Sequence, residues 1–152
     1  MEKVHYFNTL IHPKGLGFFL PIMILCVVII FLILLMVGIL YSMKNTALAL
    51  TEKEIVIKSL FYGRKIPLEK VFLNEIRSVN LQNDRDYNIS FKTNGISLPG
   101  FKSGWMRLKN GGKALTFITD KNSVVLIPTE EYALLFSMDN IDDFIRAIKK
   151  NR

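Results

Sequence analysis

The chain has 152 residues, 50 % of them apolar, and a formal charge of +7, which is room for one ordinary domain and a further segment. Its mean hydropathy of +0.28 excludes an ordinary soluble protein, and the excess is concentrated in one place. From Leu16 to Tyr41, 23 of 26 residues are apolar and none is charged. The remainder is about 42 % apolar, slightly under the globular range of about 45–50 %. Several membrane spans are excluded too, because each needs about 20 apolar residues.

Residues 1–15 form a short semi-polar tail. Tyr6, Phe7, Leu10 and Ile11 suit an interfacial helix. His5 and His12 have no cysteine or carboxylate nearby except Glu2, so no metal site is expected there. Residues 16–43 are expected to be a single transmembrane helix. The stretch Phe18 to Tyr41 would reach about 36 Å at 1.5 Å per residue, enough to cross a hydrocarbon core with some tilt. Ile22–Val37 has no face of small residues for tight helix pairing. A cleaved signal peptide is the competing reading, since Ala47-Leu48-Ala49 has the A-x-A form. The apolar stretch is far longer than a signal's apolar region, and Ala47–Leu50 also reads as the start of a strand. Lys44, Lys53 and Lys58 follow the span closely, whereas Lys3 and Lys14 are offset by Glu2. That asymmetry predicts a cytoplasmic C-terminal domain on a single-pass cell-membrane protein.

Residues 44–152 carry 18 of the 20 basic residues and 12 of the 13 acids, about +6 net. Beside a bilayer, that charge points to anionic headgroups before nucleic acid. The pattern has period 2. Expected strands are Glu54–Phe61, Arg64–Leu68, Ile76–Leu81, Tyr87–Thr93, Trp105–Lys109, Ala114–Thr119, Val124–Ile127 and Tyr132–Phe136. Asn94-Gly95 is the strongest hairpin signal; Pro99-Gly100 and Asn110-Gly111-Gly112 mark further turns. Ile141, Phe144, Ile145 and Ile148 then lie on one helical face, with Ser137 or Asp139 available as cap. The fold class is mainly β: about seven antiparallel strands in a strongly bent sheet, closed by a C-terminal amphipathic helix and preceded by one transmembrane helix.

Several runs, in order, resemble bacterial pleckstrin-homology-like (PH-like) domains of small membrane-anchored proteins. They are Leu48–Ile57, Gly63–Val71, Leu98-Pro99-Gly100-Phe101 with Gly104, Asn110–Ala114 and Ser137–Phe144. The resemblance covers about Ala47 to Lys150. It implies a bent PH-like barrel and a non-catalytic module; no cofactor is expected. It does not imply phosphoinositide binding, which in eukaryotic members needs clustered bases in the first inter-strand loop. Here that loop is Thr51-Glu52-Lys53.

Two basic sets are candidate sites. Lys58, Arg64 and Lys65 flank the turn Ser59–Gly63 and read either as a lipid-binding patch or as solvated lysines that protect a strand edge. Lys102, Trp105, Arg107, Lys109 and Lys113 read as a partner-binding cluster, since Trp and Arg anchor interfaces, or as a tryptophan packed on the barrel end. An exposed sheet edge is a further place for a partner's strand. From Lys44 onward there is no histidine and no cysteine, which removes Ser-His, Cys-His and His-metal chemistry. The expected function is a membrane-anchored interaction or scaffold module acting on another membrane protein or on itself. The alternative is an anionic phospholipid headgroup binder. No small-molecule substrate and no nucleic acid is expected.

Overall fold

The computed structural model describes residues 16–150, so the expected tail helix and the two histidines lie outside the described residues. The chain divides between Leu40 and Tyr41 into two compact units.

The first unit is dominated by α1 (Leu16–Lys44), within which Phe19–Tyr41 is long and apolar enough to cross a membrane. Its apolar side chains from Phe19 to Val37 are 46–64 % exposed on every side. A helix apolar all round has no polar face to offer water. At its C-terminal end, Asn45 satisfies the Tyr41 carbonyl twice, with its backbone N–H at 3.1 Å and its side-chain Nδ2 at 3.0 Å.

The second unit holds nine strands among the described residues, in two sheets. β1 (Ala47–Leu50), β2 (Glu54–Lys58) and β3 (Arg64–Pro67) form an antiparallel three-stranded sheet. The other strands are β4 (Arg77–Val79), β5 (Ile89–Leu98), β6 (Phe101–Leu108), β7 (Lys113–Ile118), β8 (Val124–Pro128) and β9 (Ala133–Ser137), paired in the order β4-β8-β9-β7-β6-β5. α2 (Ile141–Lys150) ends the described chain.

The expectation of about seven antiparallel strands is roughly met, with one departure: the large sheet is mixed. β9 inserts between β8 and β7, antiparallel to the first and parallel to the second. The link Thr119–Ser123 leaves a one-strand gap, and β9 fills it.

The hairpin expected at Asn94-Gly95 is corrected. β5 runs straight through these residues, and the turn is at Pro99-Gly100, with Gly100 at φ +72°. Gly95 instead faces Gly104 across the ladder. A Cβ on Gly95 would press on the Ser103 carbonyl, and one on Gly104 would lie 2.7 Å from both the Asn94 oxygen and the Gly95 Cα. Gly104 also has φ +109°, a conformation that L side chains rarely adopt. These glycines allow two backbones to meet and coil rather than turn.

Alternation explains the core. In β7, Leu115 and Phe117 point to one side of the large sheet, Ala114 and Ile118 to the other, and all four are buried. Strands buried on both faces need near-continuous apolar runs, which Val124–Ile127 and Ala133–Phe136 provide. One face packs on Ile55, Ile57 and Ile66 of the small sheet and on Ile141 and Ile148 of α2. On the other, the buried residues cluster with Val79 and Leu81, and Tyr87 and Ile89 pack against them. Ser137, one expected cap of α2, serves elsewhere: its hydroxyl donates to the Asp120 carbonyl at 2.7 Å and accepts from the Thr119 and Asp120 N–H groups.

Trp105 is the sole tryptophan, so its fluorescence reports unfolding of the full chain in detergent. Gly104→Ala is expected to cost about 1–3 kcal/mol in a urea titration, and Leu134→Ala about 2–5 kcal/mol.

Candidate functional site

Strand parity gathers four side chains at one end of the interior. Trp105 pairs in register with Leu115 of β7, and Leu115 with Leu134 of β9. Two positions earlier on those strands, Lys113 and Tyr132 fall on the same side. On the small sheet Arg64 pairs with buried Ile57, so it too faces inward.

The geometry is aromatic and cationic. The Trp105 and Tyr132 rings meet edge to face, 4.9 Å apart at 82°. The Arg64 guanidinium carbon lies 4.8 Å from the indole centroid and 5.7 Å from the phenol, and Nη1 donates to the Tyr132 hydroxyl at 3.4 Å. Lys113 Nζ stands 4.1 Å from the same indole centroid. Arg107 lies opposite Lys113 in register, with Nη1 donating to the Gly111 carbonyl at 2.9 Å. Among the described residues the ion pairs are Lys65–Glu54 and Arg146–Asp143, so Arg64, Arg107 and Lys113 form none. Such contacts contribute about 0.5–1 kcal/mol each when exposed. These unpaired cations suit an anionic group. A shallow cleft of about 150 Å³ continues from Arg64 past Lys65 and Lys70 to Tyr132, with Glu130 and Glu131 also on its wall.

The sequence model of the bacterial PH domain matches residues 46–152. The chain belongs to the bacterial PH domain family. No curated protein and no solved structure matches it. PH domains are typically non-catalytic modules that bind proteins or lipids. Among the described residues no group of three or more His, Cys, Asp or Glu is placed to hold a metal ion.

The candidate residues divide differently in this PH domain from the two sets expected. Trp105 and Lys113 come together, and Arg64, assigned by sequence to the other set, joins them. Lys65 bonds Glu54 at 3.1 Å. Lys102 has the opposite parity to Trp105 on β6 and donates to Ser97 at 3.2 Å. Lys109 lies on the turn after β6, with its N–H on the Asn88 carbonyl. Lys58 is exposed at the end of β2.

Sequence reading missed Tyr132, because parity on β9 identifies it only once the parallel β7–β9 register is known. Two of the four sheet edges carry features that discourage strand pairing: Pro67 on β3 has no N–H to offer, and β5 is interrupted by irregularities at Ile89/Phe91 and Lys92/Asn94. Arg64→Ala combined with Lys113→Ala is expected to raise acrylamide quenching of Trp105 in the full chain, with a stability loss of about 1–2 kcal/mol.

Proposed function

We propose that this protein is a membrane-anchored, non-catalytic interaction module whose PH domain engages an acidic segment of a membrane-protein partner, or of a second copy, at the Trp105 patch. The observation that carries this reading is the indole flanked by Arg64 and Lys113, neither of which forms an ion pair among the described residues. An aromatic platform with unpaired cations is the composition of an interface anchor. The anchor is α1. Its apolar surface on every side supports a span, and Ala47-Leu48-Ala49 form three of the four residues of β1. Cleavage there would strip the edge of the small sheet, which favours a retained helix over a signal peptide. The excess of lysine after the helix supports a cytoplasmic domain.

A second reading, an anionic phospholipid headgroup at the same patch, draws on the register. Arg64 and Lys58 lie at the end of the small sheet where the chain enters β1, since Lys58 pairs with Ala47.

Purification of the full chain from membranes separates the two. The protein reading expects a stoichiometric partner, or a dimer, that is lost in Trp105→Ala and in Arg64→Glu. Binding of anionic but not neutral vesicles by those same residues, with no protein recovered, would replace it with the lipid reading. Mass measurement of the mature chain is expected to retain α1.

A further inference from the structure

The turn between β2 and β3 is not a simple polar connection. The sequence suggests a strand as far as Phe61, but β2 ends at Lys58, and Leu60 and Phe61 are left 56 % and 57 % exposed. From residue 45 to 150 they are the one adjacent pair of exposed large apolar side chains among the described residues. The turn is held in place. Tyr62 points inward, packs against the main core and shares a hydrogen bond with Asn94 Oδ1 at 3.3 Å. Gly63 closes it, because a Cβ there would lie 2.9 Å from the Ser59 oxygen. Tyr62 also fits over Gly104, where any Cβ would lie 2.8 Å from its ring. One face of a fixed turn is thus bonded to the barrel and the other presents two apolar side chains.

Its place along the chain identifies what can cover it. β1 starts three residues after Lys44, the last residue of α1, and its first residue Ala47 pairs with Lys58. Thr46 and Ser59 hydroxyls lie 3.5 Å apart. Three residues of chain from Lys44 to Ala47, the pairing of Ala47 with Lys58 and two further residues keep Leu60 within about 25 Å of Lys44. We propose that Leu60 and Phe61 insert into the headgroup–acyl boundary of the bilayer that α1 crosses, with Lys58 beside them at the level of anionic headgroups. An apolar pair flanked by a base has the composition of an interfacial contact. The contact would fix the orientation of the PH domain. It rests on α1 spanning the bilayer, and not on what the Trp105 patch binds.

The test uses the full chain in vesicles of phosphatidylcholine and phosphatidylglycerol, some with shallow-brominated acyl chains. In a Trp105→Phe background, Phe61→Trp is compared with Lys53→Trp, at the opposite end of the same sheet. The indole at 61 is expected to lose most of its emission to bromine and to shift to the blue, and the indole at 53 to do neither. No quenching at 61, or equal quenching at both, would overturn the proposal. Resistance of the same vesicles to alkaline carbonate extraction reports on the span separately. Should Trp105→Phe fail to fold, bimane on Cys26→Ser/Leu60→Cys against Cys26→Ser/Lys53→Cys decides by the same quenching, with Trp105 intact.

Discussion

The structure of the PH domain depends on one shared apolar interior between two sheets. Ile55, Ile57 and Ile66 of the small sheet meet Leu115, Phe117, Leu134 and Phe136 of the large one, and α2 adds Ile141 and Ile148. Each fully buried aliphatic or aromatic side chain there contributes about 1.5–3 kcal/mol. Because side chains alternate with period 2, burial of these residues dictates what happens where the strands run past the core. Arg64, Trp105, Lys113 and Tyr132 have the parity of core residues but lie beyond its filled part. They therefore converge at its edge, where a guanidinium and an ammonium can face an indole and still reach water.

The second constraint is the coiling of the long β5–β6 ladder. Gly95 and Gly104 let the two backbones approach, and Thr93 donates its hydroxyl to the Trp105 carbonyl at 2.9 Å beside the irregularity at Lys92/Asn94. Thr116 donates from the buried side to the Gly104 carbonyl at 3.1 Å. The same coiling opens a seat for Tyr62 and so ties the β2–β3 turn to the large sheet. Gly104 leaves room for the Tyr62 ring, and Tyr62 holds the turn that carries the exposed pair Leu60 and Phe61.

Much of this was legible in the sequence, for local reasons. Alternation locates β3, β7 and β8 closely and β2 at its start, and the 3.6-residue pattern locates α2, because those signals arise from burial of neighbouring residues. What failed was non-local. Asn94-Gly95 has the composition of a turn, but its glycine answers to Gly104, a contact visible only in the β5–β6 register. Parallel pairing of β7 with β9 leaves no mark on either strand, so Tyr132 could not be joined to Trp105. Lys58, Arg64 and Lys65 are close in sequence and so read as a unit. Lys65 instead bonds Glu54, and Arg64 turns towards Trp105. Leu60 and Phe61 looked like strand residues because apolarity alone does not show where a ladder ends.

A helix apolar on all sides precedes a PH domain whose aromatic–cationic patch has no ion-pair partner among the described residues, and protein binding at that patch is the function proposed for it. Site-specific photo-crosslinking in intact membranes tests this most directly, with a benzophenone side chain placed at Arg107, beside the patch, and at Lys121, on the loop at the other end of the large sheet. That function predicts a discrete protein adduct from position 107 and none from position 121. Adducts of equal yield from both positions, or adducts to lipid alone from position 107, would contradict it.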